Sequence, residues 1–476
     1  MESRSSELGV DSLVSVDIRS WFLKHLHVNL PVLKIMGNNT MASLVQHAFE
    51  SLSSELAPGM KSEEGSQDVG YQNTIENSSE ELPAHLVPSN SMSSISTTPP
   101  EPADIETRGM MHSTWIDWSL ESSLPLNAIE APCNSHFRPI LFPPRVIVLT
   151  GCTGLLGHHL LSHILAQPTV EKIICLSVRS LTQRLKHSRL LEDPRIIYHG
   201  GDLAHPLLGL SEEVNETIFA ETDAVIHNGA DTSHLKHYVD LLPANVYSTM
   251  TLARLCLRRR IPLHYVSSAG LGIFHENGAT EGFPPGAIKP PPGMSPNGSF
   301  GYACSKWTCE MFLERMSEEH RMRVFIHRPS TIVREGEDAI GPEAEKDWIN
   351  AFLVYVKKLK AVPTTKRKQG ALDLVYVRSV CDGIIRHLFN SNGSVRLERG
   401  VTYVNYVGDE VLPLDNLQDL GLQDQGVPYD VIMQEEWMAA ATAAGMHPGV
   451  ATLIGSMVEG GEQYPKLLKG ESTSLV

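Results

Sequence analysis

What is scarce narrows the field first. Seven cysteines are scattered over 476 residues with no CxxC pair. Neither a disulfide framework nor a metal site is therefore readable, and such usage fits a reducing, cytoplasmic setting. No apolar run approaches the roughly 18 residues of a membrane-spanning helix. The N-terminus lacks the apolar core of a secretory signal. Positive charge is also short: 39 Lys and Arg against 55 Asp and Glu leave a formal charge of −16. That balance argues against nucleic acid as a partner, because phosphates attract net positive surfaces. Aromatic residues are only 6% of the chain, yet 42% is hydrophobic, enough for one large domain or two to three smaller ones.

The acid is unevenly spread. Residues 56–110 hold nine Asp or Glu against Lys61 and Arg108, together with SMSSISTTPPEP and few large apolar side chains. Such a segment cannot bury enough surface to offset its ordering entropy, so it is expected to be a flexible linker. It separates a short piece, 1–55, from a long one starting at 111. In the long piece, apolar runs RVIVLT, EKIICLSV, RIIYHG, DAVIHNGA, PLHYVSS and RVFIHRP alternate with helix-patterned stretches. Strands buried on both faces read this way, which predicts an α/β fold with a doubly wound, Rossmann-type parallel sheet over 111–330. Past residue 330 the alternation fades, and 331–476 is expected to be a smaller, mostly helical, substrate-binding lobe.

The first strand runs into Thr150-Gly151-Cys152-Thr153-Gly154-Leu155-Leu156-Gly157. Gly151 suits a tight turn, Gly154 a close backbone approach to a pyrophosphate, and Gly157 close helix packing. The helix that follows offers unpaired N–H groups from Thr153 and Leu155 onward. At the end of the second strand, where an NAD site places an acid, the chain reads Ser177-Val178-Arg179-Ser180. A guanidinium pairs with a 2′-phosphate, so NADPH is expected over NADH. Asp202 after the third strand is placed for the adenine side, and Asn228 and Gly229 for the middle of the cofactor.

Tyr302 and Lys306 stand four residues apart on one helical face. A lysine beside a phenol lowers the cost of phenolate formation, and the phenol then protonates a carbonyl oxygen as hydride reaches carbon. Ser268, ending the preceding strand, can hold the same oxygen. Asn245 is read either as fixing water or backbone near Lys306 or as a simple cap. Cys304 and Cys309 lack a base partner and are read as packing residues, and His227 as a strand-end residue.

Together, TGCTGLLG, LSVRS, GDLAHPLLGLS, AVIHNGAD, LPANVYST, HYVSSAG, GYACSKW and HRPSTIV resemble an extended short-chain dehydrogenase/reductase. More narrowly, 111–476 is similar to the thioester reductase domains that end fungal polyketide and nonribosomal peptide synthases. The resemblance implies a catalytic set of Ser268, Tyr302 and Lys306. It also implies NADPH-dependent release of a carrier-bound acyl thioester as an aldehyde, with onward reduction to an alcohol left open. Three other readings stay open: an extended dehydrogenase acting on a free carbonyl or alcohol, a non-redox Dieckmann-type cyclase, and a non-catalytic NADPH-binding domain.

The opening LGVDSLVSVDIRSWFLKHLHVNLPVLKI resembles the second half of a polyketide acyl carrier domain. By that likeness Ser12 is the phosphopantetheine attachment point; the alternative is an ordinary helix cap. About forty residues of the family's first helix and long loop are absent before Asp11, so 1–55 is expected to fold weakly alone. The acyl-pantetheine arm is therefore expected from a carrier in trans, delivered by a synthase partner. The basic run around Lys357, Lys358, Lys360, Lys366, Arg367 and Lys368 is read as a landing surface for an acidic carrier or as ordinary solvated surface.

Overall fold

Runs of β-branched and aliphatic residues become the centre of one sheet. In a computed structural model the described residues are 116–123, 138–186, 190–234, 236–276, 282–289, 294, 300–335, 347–364, 371–389, 400–451, 454 and 467–474, with isolated positions at 18, 22, 35, 42, 43, 45 and 46. Ser12, the linker and half of residues 281–300 lie outside them.

The strands are β1 (Val146–Thr150), β2 (Lys172–Val178), β3 (Ile196–Gly200), β4 (Ala224–His227), β5 (Leu263–Val266), β6 (Arg323–Pro329), β7 (Thr331–Val333), β8 (Ala361–Pro363), β9 (Ala371–Tyr376), β10 (Gly400–Tyr406), β11 (Glu410–Pro413), β12 (Asp430–Ile432) and β13 (Gly470–Ser474). Eight of them form the main sheet in the order β13-β10-β6-β5-β4-β1-β2-β3. All of its pairings are parallel except β10 with β13. Every residue of β1, β4, β5 and β10 is buried, as expected of strands covered on both faces.

Helices α1 (Leu155–Leu165), α2 (Glu212–Glu221), α3 (Ser248–Leu257), α4 (Gly301–His320), α5 (Trp348–Leu359), α6 (Val377–Phe389) and α7 (Gln434–Ala443) supply the outer layers. Leu160, Ile164 and Ile384 cover one face of the sheet, from α1 and α6. Leu252, Trp307 and Phe312 cover the other, from α3 and α4. A third core, built on Phe352, Tyr355 and Trp437, joins α5 and α7, and the Trp437 indole donates to the Ala361 carbonyl at 2.8 Å.

The expected boundary near 330 divides the chain but not the sheet. Strands β10 and β13 come from the C-terminal part, which also carries a three-stranded and a two-stranded sheet among its helices. β13 reads GESTS and has no apolar signal; it is recruited by backbone pairing at the β10 edge.

Asp223 ties the sheet's entrance together. Its carboxylate accepts from Arg138 Nη2 at 2.9 and 2.7 Å and from the backbone N–H groups of Leu141, Arg145 and Val146 at 2.9–3.0 Å. Burial alone would raise its pKa, but these donors outweigh burial and hold the group below the usual carboxylate range. The segment leading into β1 is thus fastened to the start of β4.

Candidate active site

The strand order reverses between β1 and β4, and in such sheets the crevice at the carboxyl ends beside that switch point is where ligands sit. The loop after β1 is built for close approach. Gly151 has φ +69°, which favours glycine. A Cβ at Gly157 would lie 1.9 Å from the Gly151 carbonyl oxygen, so the helix start packs directly on the loop. A Cβ at Gly154 would meet nothing nearer than 3.5 Å, so protein packing does not demand glycine there and the bare backbone faces outward. No side chain caps the N-terminus of α1 and no acid stands in its first turn, which leaves Leu155 and its neighbours able to donate N–H groups to an anion. Thr153 is exposed at the mouth of the loop.

Asn228 and Gly229 lock this loop to β4. Asn228 Nδ2 donates to Gly151 O at 3.1 Å, and Gly229 N donates to Thr150 Oγ1 at 2.9 Å. The same threonine oxygen lies 2.8 Å from His227 Nδ1. Burial, then the charge on Lys306, pushes His227 down to about 3, so it is a neutral structural bridge.

At the end of β2, Ser177 and Ser180 take left-handed φ values of +57° and +53°, turning the chain so that Arg179 is exposed. Arg184 Nε donates back to Arg179 O at 3.0 Å, and its charge reaches Cys152 in the glycine loop. Arg184 was invisible as a candidate in the sequence because it is brought here only by the helical turn 181–186. The Asp202 carboxylate accepts from Ala204 N at 2.9 Å and shapes its own turn.

β5 runs straight into Ser267 and Ser268. The Ser268 hydroxyl accepts from Gly270 N at 3.0 Å and lies near enough to the Tyr302 phenol to favour its ionised form. Burial first, then the Asp231 carboxylate, pushes that phenol well above its usual range against the pull of Ser268. Lys306, one turn on, is buried and donates to Val266 O at 2.8 Å. Its ammonium lies 5.8 Å from the Tyr302 ring centroid. Burial lowers it to about 8, while Cys309 and Glu310 pull the other way. The fold thus brings Ser268, Tyr302 and Lys306 together.

Asn245 does not cap a helix, but it bonds α4 at Ser305, next to Lys306. It sits in a π-turn before α3 and clamps the loop after β4 to α4. Its side chain accepts from Asp231 N at 2.7 Å and donates to Asp231 O and Ser305 Oγ, both at 3.0 Å. Cys304 and Cys309 are buried. Lys358 of the basic run is spent on the Ala444 carbonyl, and residues 366–368 lie outside the described set. Among the described residues, no group of His, Cys, Asp or Glu is placed to hold a metal ion, and no helix is long and apolar enough to cross a membrane.

Comparison with known proteins bears on this geometry. Residues 149–384 match the NAD-binding family described as male sterility protein, and residues 4–48 match the phosphopantetheine attachment site. Over 99% of its length the chain is 44% identical to the highly reducing polyketide synthase bet1 of Neocamarosporium betae. Over 98% it is 45% identical to the highly reducing polyketide synthase sthA of Phaeosphaeria nodorum. It spans 16% of each of these relatives. The terminal R domain of the myxalamid PKS-NRPS pathway superposes with a TM-score of 0.54 at 25% identity, over 75% of this chain and 88% of that one. The chain therefore belongs with the NAD(P)-binding reductase domains that end polyketide and nonribosomal peptide synthases, and it carries a phosphopantetheine-attachment segment ahead of that domain.

Proposed function

We propose that this chain releases a carrier-bound acyl thioester by reducing it to an aldehyde and a free thiol, with NADPH as reductant. The observation that carries this reading is the meeting of Ser268 and Tyr302 with buried Lys306, whose ammonium lies 5.8 Å from the phenol ring, in the crevice next to the glycine loop. Gly151, Thr153, Gly154, Leu155 and Gly157 would cradle the pyrophosphate. Asn228 and Gly229 hold that loop in place. Arg179, with Arg184 behind it, would take the 2′-phosphate; no carboxylate stands at the end of β2 to repel it. Asp202 shapes the adenine side. Bound there, NADPH supplies the hydride that reduces the thioester carbonyl carbon.

The protein's own groups do the rest. Ser268 and Tyr302 hydrogen-bond the carbonyl oxygen, and Tyr302 gives it a proton as charge develops. The high phenol pKa keeps that proton in place until then. The Lys306 ammonium stabilises the phenolate left behind. The tetrahedral thiohemiacetal then collapses to aldehyde and thiol. The acyl-pantetheine arm comes from a synthase's carrier domain in trans, with Ser12 marking the attachment point of the chain's own carrier segment.

Product analysis with an acyl-pantetheine thioester and NADPH tests the proposal. The expected result is aldehyde or alcohol formed with matching NADPH consumption. A cyclised product without NADPH consumption, or turnover of free ketones and alcohols alone, would overturn it.

A further inference from the structure

Tyr302 has a neighbour that the roles given to Ser268 and Lys306 leave idle. The imidazole of His234 packs on the phenol with ring centroids 5.0 Å apart and planes at 57°. His234 is exposed, and its ring nitrogens have no hydrogen-bond partner among the described residues.

Its position is built, not incidental. The loop after β4 is pinned at Asp231 by the two-way Asn245 clamp. Asp231 also accepts from Ser233 N at 3.0 Å and pairs with Lys236 at 2.8 Å. Further along, the loop presses on the start of α4: a Cβ at Gly301 would fall 2.4–2.5 Å from Lys236 O, His237 C and Tyr238 N. Both ends of the short stretch carrying His234 are therefore fixed against the helix that carries Tyr302.

We infer that His234 is a further catalytic residue, whose imidazole N–H donates to the sulfur of the bound thioester and stabilises that sulfur as the carbon–sulfur bond breaks. The inference rests on the reductive-release reading. Ser268 and Tyr302 occupy the carbonyl oxygen, so the other heteroatom on the same carbon is the sulfur. A ring packed beside the phenol, with an N–H to spare, suits that atom. An ordinary histidine is mostly neutral at about pH 7.5. The ring therefore acts as a neutral donor with one N–H to offer. A thioester sulfur is a weak acceptor and a departing thiolate a strong one, so the bond gains strength as the reaction proceeds.

In the collapse step the thiohemiacetal hydroxyl returns its proton to the Tyr302 phenolate and the oxygen lone pair forms the carbonyl. The carbon–sulfur pair leaves on sulfur, which is then protonated by solvent. His234 keeps its own proton, and nothing is oxidised or reduced in this step.

The test compares two thioesters of one acyl group, the pantetheine thioester and the thiophenyl thioester, with wild type, His234→Ala and His234→Phe. Phenylalanine keeps a ring against Tyr302 but lacks the N–H. Loss of one hydrogen bond to a developing charge predicts a kcat about tenfold to hundredfold lower on the pantetheine thioester in both variants. On the aryl thioester, whose thiolate needs less help to leave, kcat is expected to change little. Wild-type rates in both variants on the pantetheine substrate would overturn the inference. So would equal losses on the two thioesters, which would mark a structural role. Wild type consuming NADPH with neither thioester would overturn the reductase reading itself, and this assignment with it.

Discussion

Tyr302 is held as an acid by burial and by the Asp231 carboxylate, which suits a proton donor and would be a poor arrangement for a resting base. Tyr302→Phe removes the proton while keeping the ring against His234. We expect kcat on a pantetheine thioester to fall roughly 10²–10⁴-fold, with NADPH affinity by fluorescence titration nearly unchanged. Arg179 and Arg184 address a different property. Removing both to alanine takes away charge-assisted contacts to a phosphate, so KM for NADPH should rise roughly tenfold to hundredfold while KM for NADH moves little. Gly151, Arg179, Ser268, Tyr302 and Lys306 were all legible in the sequence, because each belongs to a motif of fixed spacing beside a strand end. His234 and Asp223 were not, and Asn245 was singled out without its partners Asp231 and Ser305. Each acts across the fold through a partner remote in the chain, and no local pattern records that.

Among the elements, α4 carries two catalytic candidates and must be held in register with the sheet. Glu310, one turn beyond Lys306, pairs in the core with Arg328 of β6: Nε to Oε1 at 3.0 Å and Nη2 to Oε2 at 2.5 Å, with neither side chain exposed. The guanidinium lies 4.5 Å from the Tyr403 ring centroid of β10. One pair thus joins a helix and two strands. Glu310→Ala leaves a buried cation without its counter-charge, which costs about 3–5 kcal/mol and should appear as a lower midpoint in urea unfolding. Strands β1, β2, β4 and β6 were readable as apolar runs. Strands β10 and β13 were not placed in the main sheet from sequence, because strand pairing across scores of residues leaves no local periodicity, and GESTS offers no buried face to detect.

For the molecule as a whole, three buried histidines set the response to acid. His227 is pushed down to about 3, and His264 and His327 lie well below their ordinary value; burial is the leading cause in each case. His264 Nδ1 lies 3.1 Å from His327 Nε2, and His327 Nδ1 lies 2.7 Å from the Tyr406 hydroxyl. The folded state therefore refuses protons that the unfolded chain accepts, so stability is full above the ordinary histidine pKa of about 6.5 and falls below it. Three such groups give a slope of about 4 kcal/mol per pH unit, and thermal melts at stepped pH should show the onset just under 6.5. The segment 228–237 has a wider consequence. One end is hydrogen-bonded to the glycine loop through Asn228 and Gly229, and the other leans on Gly301 and Tyr302. Settling a dinucleotide against the first end should stiffen the loop that leans on Tyr302 at the second. The two ligands should therefore bind in a compulsory sequence, nucleotide ahead of acyl arm. Product-inhibition patterns would show it, with NADP⁺ competitive against NADPH alone.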